Sequence, residues 1–409
     1  MAEIDKPLPN VDITEKDEAF VEQEVTVPNE ENVNNEDVEV TMDEEGGAEI
    51  SFDPAAQQLE STDHFQNLAE IMDDQDLDEL GTSLFDKYTD YKESRGDWEQ
   101  SYREGLELLG FKYERRTEPF RGASGVNHPV LAEAVTQFQA QAYKELLPAD
   151  GPVRTQILGA VDVAKEEQSK RVKDFMNYQI MDQMKEYEPE FDQMLFYLPL
   201  SGSTFKKVYY DDLLGRAVSK FVPADDLIVP YSANSLEDAE AIVHVIKMSE
   251  NELKKQQVSG FYRDIELGQP PITSNELEEK ERQLEGITKG SQEDQFTILE
   301  MHVNLDLEGF EDMGADGEPT EIKLPYIVTI AESNNKILSI RRNFTQDDPT
   351  KEKIKYFVQY KFLPGTGFYG FGLIHMIGGL TRTATAALRQ LLDAGTLANL
   401  PAGFKTRGI

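Results

Sequence analysis

Ile354-Lys-Tyr-Phe-Val-Gln-Tyr-Lys-Phe-Leu-Pro-Gly-Thr-Gly-Phe-Tyr-Gly-Phe-Gly372 is the stretch on which the reading of this chain turns. Tyr356, Val358 and Tyr360 alternate with other residues, the period of a strand. Four glycines follow, Gly365, Gly367, Gly370 and Gly372. Lacking a Cβ, they let the backbone turn sharply and lie close against a neighbour. From Leu373 the period lengthens to three and four. Leu373, Ile377, Leu380, Ala384, Leu388 and Leu391 draw one apolar stripe, which predicts a packing helix. Arg382, Ala386, Arg389 and Asp393 form a narrow polar edge opposite it. Gly378, Gly379, Thr381, Thr383, Ala384, Ala386 and Ala387 make a slim surface that suits close approach of other helices, and Pro401 and Gly403 end the helix.

The same glycines spell Gly365-x-Gly367-x-x-Gly370, a pattern that can cradle phosphate on backbone N–H groups at a helix start. Here Pro364 sits inside the turn, and Phe368, Tyr369 and Phe371 crowd it. The acidic residue that belongs at the end of a second strand is missing, since Asp393 lies within the helix. A structural hinge is the expectation, and a nucleotide-binding enzyme using Gly365–Gly370 is the minor alternative.

Working outward, the 409 residues carry a net charge of −38, unevenly spread. The first 80 residues hold 26 acidic and 2 basic side chains; beyond Gly365 only Asp393 opposes Arg382, Arg389, Lys405 and Arg407. An acidic body argues against wrapping DNA by charge neutralisation, though not against surrounding it without gripping it. There are no cysteines, so disulfides, thiolate metal sites and a cysteine nucleophile are excluded. No signal peptide and no 18-residue apolar run is evident, which predicts a soluble protein with no membrane partner.

Four stretches follow from composition and period. Residues 1–60 are acidic and rich in Pro and Asn, and are expected to form a disordered arm, either a solvated tail or a partner-binding module. Residues 61–200 read as mainly helical. Leu84, Tyr88, Tyr91, Arg95, Trp98, Tyr102, Gly105 and Leu109 trace one helical stripe; Val130, Ala134, Phe138, Ala142 and Leu146 trace a second. Val172, Phe175, Met176, Gln179, Ile180 and Met184 mark a third, and Phe191, Met194, Leu195 and Leu198 a fourth. Residues 201–364 read as strand-rich. Thr204–Tyr210 and Arg216–Val222 form a hairpin, Ile242–Ile246 another strand, and residues 249–295 a polar excursion with a charged helix near Glu276–Glu285. Phe296–Leu307 and the hairpin Tyr326–Ile330 with Ile337–Ile340 complete the strands. Residues 365–409 hold the hinge and the long helix. The plan is α+β, helices with antiparallel strands.

Chemistry-bearing patterns are thin. Asp74, Asp76 and Asp78 hint at a calcium loop, but Glu79 stands where glycine belongs and Phe85 where the closing glutamate belongs. His64, His128, His244, His302 and His375 form no ligand pair at helical spacing, and His244 reads as a sheet residue. Ser124 and His128 lie near each other without an evident acidic orienting group. His375, beside the glycine turn, reads as a packing or hydrogen-bonding residue. No phosphate-binding Gly-Lys-Ser/Thr loop and no Gly-x-Ser-x-Gly elbow is present. No catalytic, cofactor-binding or metal-ligating residue and no cofactor is expected, and the sequence points away from an enzyme.

Five separated stretches, taken in order, resemble the portal proteins of short-tailed bacteriophages. They are Asp90-Tyr-Lys-Glu-Ser-Arg-Gly-Asp-Trp98, the run His128–Ala142, Gly202-Ser-Thr-Phe-Lys-Lys-Val-Tyr-Tyr210, Val222-Pro-Ala-Asp-Asp-Leu-Ile-Val-Pro230 and Gly365–Phe404. The resemblance runs from about Leu84 onward and leaves out the acidic arm. It implies a homo-oligomeric ring, usually of twelve subunits, at one capsid vertex of the virion, assembled in the bacterial cytoplasm. Double-stranded DNA passes through such a ring, without sequence-specific binding, during genome packaging and ejection. The implied partners are the major capsid protein, the scaffold, the terminase large subunit and the tail or head-completion proteins of the head–tail connector. Family members continue through stem helices, a clip and often a crown, so the resemblance implies that this chain is the wing-forming part.

Overall fold

A computed structural model describes residues 38–42, 48–52, 64–111, 115–211, 214–268, 276–286, 295–313, 319–365 and 367–399. They fall into two compact units, one within residues 1–62 and the other within 63–409. In the first, β1 (Val38–Met42) pairs antiparallel with β2 (Ala48–Phe52), Val38 opposite Phe52. The remainder of the expected arm, residues 1–60, lies outside the described residues.

The second unit mixes helices with antiparallel sheets, the expected α+β class. Its chain order is α1 (Asp74–Ser94), α2 (Gly96–Leu108), α3 (Val130–Leu146), α4 (Val163–Tyr178), α5 (Tyr187–Ser201), β3 (Ser203–Asp211), β4 (Arg216–Val222), β5 (Leu227–Ile228), β6 (Ala241–Ser249), α6 (Glu250–Val258), α7 (Glu276–Glu285), β7 (Gln295–Leu305), β8 (Leu324–Ala331), β9 (Lys336–Arg342), β10 (Phe357–Lys361) and α8 (Leu373–Asn399).

Strands β5-β6-β7-β8-β9 make one antiparallel sheet and β10-β3-β4 a second. On β7, Leu299, Met301, Val303 and Leu305 share one face by the two-residue period, and α1 covers it with Leu77, Leu84 and Tyr88. The free edge of β9 is closed by a side chain: Asn67 donates Nδ2 to the Leu338 carbonyl (3.2 Å) and accepts the Ile340 N–H (2.9 Å), imitating a neighbouring strand. The opposite face of the sheet meets the second sheet through Leu227, Ile242, Phe205 and Phe357. Helix α5 buries Phe191, Met194 and Leu195 in a separate cluster against Phe221 and Tyr360 of the second sheet. A further cluster joins Tyr102 and Leu106 of α2, Leu131 and Val135 of α3, Leu277 of α7 and Ile374 of α8.

Several local readings shift. The predicted single stripe Leu84–Leu109 is two helices, because Arg95 leaves helical geometry (φ −101°, ψ 9°) and turns its side chain inward. Asp74, Asp76 and Asp78 sit in the first turns of α1, not in a metal loop, where carboxylates favour the helix dipole. Asp74 pairs with Arg263 at 2.6 Å. Helix α3 buries Leu131, Ala132 and Val135, a face rotated from the predicted one, and exposes Leu146. On β10 the buried residue is Phe357, while Val358 is exposed, since the face of Phe357 meets the larger sheet. Among the described residues no helix is long and apolar enough to cross a membrane.

Candidate functional site

Arg95 sits at the α1–α2 break, 5% exposed. Its Nη1 donates to the carbonyls of Ala224 (3.0 Å) and Leu227 (3.1 Å) and to the Tyr369 hydroxyl (3.3 Å). Nη2 donates to the Asp225 carbonyl at 2.5 Å, and Nε to Glu99 at 2.8 Å. A buried guanidinium is tolerated only when its donors are satisfied in this way. Trp98, one turn on, stacks between Tyr102 and Tyr369 with ring centroids 5.5 and 4.5 Å away. Residues 90–98, 222–230 and the glycine hinge therefore meet at one point.

Gly202 brings in a fourth stretch. At φ +91° it caps α5 in the left-handed region. A Cβ there would stand 2.4 Å from the Gly370 carbonyl oxygen, and one on Gly372 would stand 2.2 Å from that of Leu200. Two backbones thus lie against each other with no room for a side chain. Three amides at the end of the hinge are also spent within the fold. Gly370 N–H donates to Ser203 Oγ (2.9 Å), Phe371 N–H to the Leu363 carbonyl (2.8 Å) and Gly372 N–H to His375 Nδ1 (3.1 Å). These are the groups a phosphate cradle would need. Since Nδ1 accepts, the proton of neutral His375 is on Nε2, and burial lowers the pKa of this imidazole. The fifth stretch joins through Phe138, edge-on to Phe362 at 5.2 Å.

Helix α8 leaves this junction with its apolar stripe divided: Leu373 and Ile377, beside Ile374, pack into the cluster with α2 and α3, while Leu380 and Leu391 stand in the open. Its buried positions are Ile374, Gly378, Thr381 and Asp393. Of the predicted polar edge, Arg389 and Asp393 dock, while Arg382 and Ala386 stay exposed. Arg382 pairs with Glu104 (3.1 Å), Arg389 Nε donates to the Val126 carbonyl (2.8 Å), and Arg389 also donates to Asn127 Oδ1. Thr385 accepts the His128 N–H (3.0 Å), and Asp393 accepts the Ser124 N–H (2.6 Å). Met376 (58% exposed), Leu380 (64%) and Leu391 (71%), from the predicted packing stripe or beside it, face outward. At 100° per residue Met376, Leu380, Thr383, Ala387, Leu391 and Ala394 fall on one line. It carries no charge over five turns. A polar cleft of about 390 Å³ lies along the docked side, lined in part by Arg116, Arg382, Arg389 and Glu107. Helix α4, over the first part of the predicted third helix, buries no residue and exposes Val172, Phe175 and Met176.

Elsewhere the fold gathers what the sequence scatters. Ser124 and His128 do find an acid in Asp393, but it takes a backbone N–H and orients no imidazole, so no triad geometry results. His244 and His302, 58 positions apart, face the same carboxylate, Glu300, between the two sheets. Register reasoning could have found this, because antiparallel pairing of β6 and β7 sets His244 opposite Glu300. Among the described residues no group of His, Asp or Glu is arranged to hold a metal ion. No family model matches the chain, and no curated protein matches it.

Proposed function

We propose that this chain is the wing-forming part of a bacteriophage portal subunit, a structural part of a homo-oligomeric ring through which double-stranded DNA is packaged and ejected. The outward face of helix α8 carries the reading. Arg389, Thr385 and Asp393 are bonded within the chain, and an uncharged, largely apolar line faces outward. A helix of a monomer buries its apolar face; one that exposes it for five turns presents a contact surface. Self-association through that surface accounts for the pattern.

Two observations agree with it. The five stretches that resemble portals, spread over some three hundred residues, meet at the Arg95–Gly202 junction, and what joins them is packing and hydrogen bonding. The chain's net charge of −38 suits a conduit that must let DNA slide, since clustered Lys and Arg raise affinity for phosphate. In this reading the capsid protein, scaffold, terminase and tail factors are partners, and the virion vertex is the location. Electron microscopy of the concentrated protein tests it. Closed rings of one diameter are the expected result; a monodisperse monomer at the highest attainable concentration contradicts it.

A further inference from the structure

Lys207 of β3 reaches across to Glu300 of β7, its Nζ 2.6 Å from both carboxylate oxygens. This is an ion pair between the two sheets. His302, two residues along β7 on the same face, sets its Nε2 2.8 Å from Glu300 Oε1. Its ring lies edge-on to Tyr356 and Phe357, at 5.6 and 5.2 Å. His244, paired with Glu300 across β6–β7, packs edge-on to Phe357 at 5.5 Å, and its Nδ1 is buried with no hydrogen-bond partner. The imidazoles and the ion pair therefore fill the joint where β3 and β10 rest on β6 and β7.

We propose that this joint is an acid-sensitive latch: protonation of His244 and His302 releases β10 and β3 from the larger sheet and loosens the root of helix α8. The charge count explains why. Facing the site are one carboxylate, Glu300, and the cations Lys207 from β3, Lys220 from β4 and Lys353 from the segment before β10. At neutral pH both histidines are neutral and Glu300 is matched by Lys207. Two added protons place two more buried cations around a single carboxylate, and His244 has no acceptor for its second N–H. Burial pushes the pKa of His244 down to about 3, with Lys207, His302 and Lys220 adding to the fall against Glu300. Burial lowers that of His302 too, against the pull of Glu300. Burial opposes charge on Glu300 as well, yet Lys207 and His302 hold its carboxyl well below the usual range, so it stays ionised as the pH falls.

The sign follows from linkage. A histidine whose folded pKa is depressed contributes stability that is complete above its unfolded value, near 6.5, and that fades as the pH falls below it. One unit lower, His244 alone favours the open form by about tenfold, and His302 adds to this in the same direction. The position of the latch gives it reach, since β10 ends at Lys361 and leads straight into the glycine hinge and α8.

The test is urea unfolding of the full chain between pH 7.5 and 5.5, where carboxylates barely titrate, beside the double variant His244→Gln/His302→Gln. The wild-type unfolding constant is expected to rise over that range by at least about tenfold more than that of the variant; superimposed profiles overturn the latch. Should the variant not fold, imidazole NMR titration of the wild type decides. His244 staying neutral at pH 5 supports it, and all five histidines titrating between 6 and 7 overturns it. Peptide-resolved hydrogen exchange, corrected for intrinsic rate, adds location: β3 and β10 are expected to lose protection on acidification before β8 and β9, and uniform loss overturns the proposal.

Discussion

Helices α1 and α8 are both amphipathic, and they are used in opposite ways. Helix α1 lays Leu77, Leu84 and Tyr88 on the five-stranded sheet and turns its charged residues to solvent. Helix α8 turns Arg389, Asp393 and Thr385 onto residues 124–128 and leaves Leu380 and Leu391 in the open. Hydrophobic period marks which face of a helix is apolar. It does not say whether that face is covered by the same chain. In α8 the polar residues after its first turns are held by directional bonds to loop carbonyls and amides, so the fold of one chain is satisfied while Leu380 and Leu391 stay available.

Substitutions can break or sharpen this contrast. The largest loss is expected at the junction both helices share. Gly202→Val needs a β-branched side chain at φ +91° and 2.4 Å from a carbonyl oxygen. It should cost about 4 kcal/mol or more, seen as failure to fold or a collapse of the denaturant midpoint. Next come the core of α1 and the arginine at its end. Leu84→Ala removes a fully buried side chain, and a loss of about 3 kcal/mol in chemical denaturation is expected. Arg95→Met strips donors from the carbonyls of Ala224, Asp225 and Leu227 and leaves Glu99 without its cation; a similar loss of about 3 kcal/mol follows. Emission from Trp98, the single tryptophan, should shift as its stack with Tyr369 loosens.

On α8 the order of sensitivity reverses. Asp393→Asn keeps an acceptor for the Ser124 amide but removes its charge, and should cost about 1 kcal/mol, seen as faster hydrogen exchange in residues 122–128. Leu391→Ala trims an exposed side chain, so its effect on monomer stability should stay within about 0.5 kcal/mol. If Leu391→Ala costs as much as Leu84→Ala, the two helices are used alike and the contrast fails.

The sheet and its coverings were readable because their signals are local. The two-residue period of residues 296–307, the hairpin turn near Asn335 and the stripe Leu84–Tyr88 all stand in the structure where their patterns place them. What was hidden depends on partners far along the chain. Arg95 looked like one more member of a helical stripe; its burial is explained only by carbonyls about 130 positions away. The docking of Arg389 and Asp393 of α8 depends on residues 124–128, which carry no pattern of their own. The parity of β10 could not be read from alternation alone, because Tyr356, Phe357 and Val358 are all apolar enough for either face, and the contact with Leu227 and Ile242 decides for Phe357. The glycine hinge was read correctly as a turn of close approach, though its neighbour, Gly202, was invisible without the fold.

Sedimentation velocity on the full chain, wild type beside Leu380→Asp/Leu391→Asp, tests the outward role of α8 most directly. The proposal predicts that the wild type associates into one discrete large species while the variant sediments as a monomer with an unchanged thermal midpoint. A wild type that stays monomeric at every concentration, or a variant that assembles just as well, contradicts it.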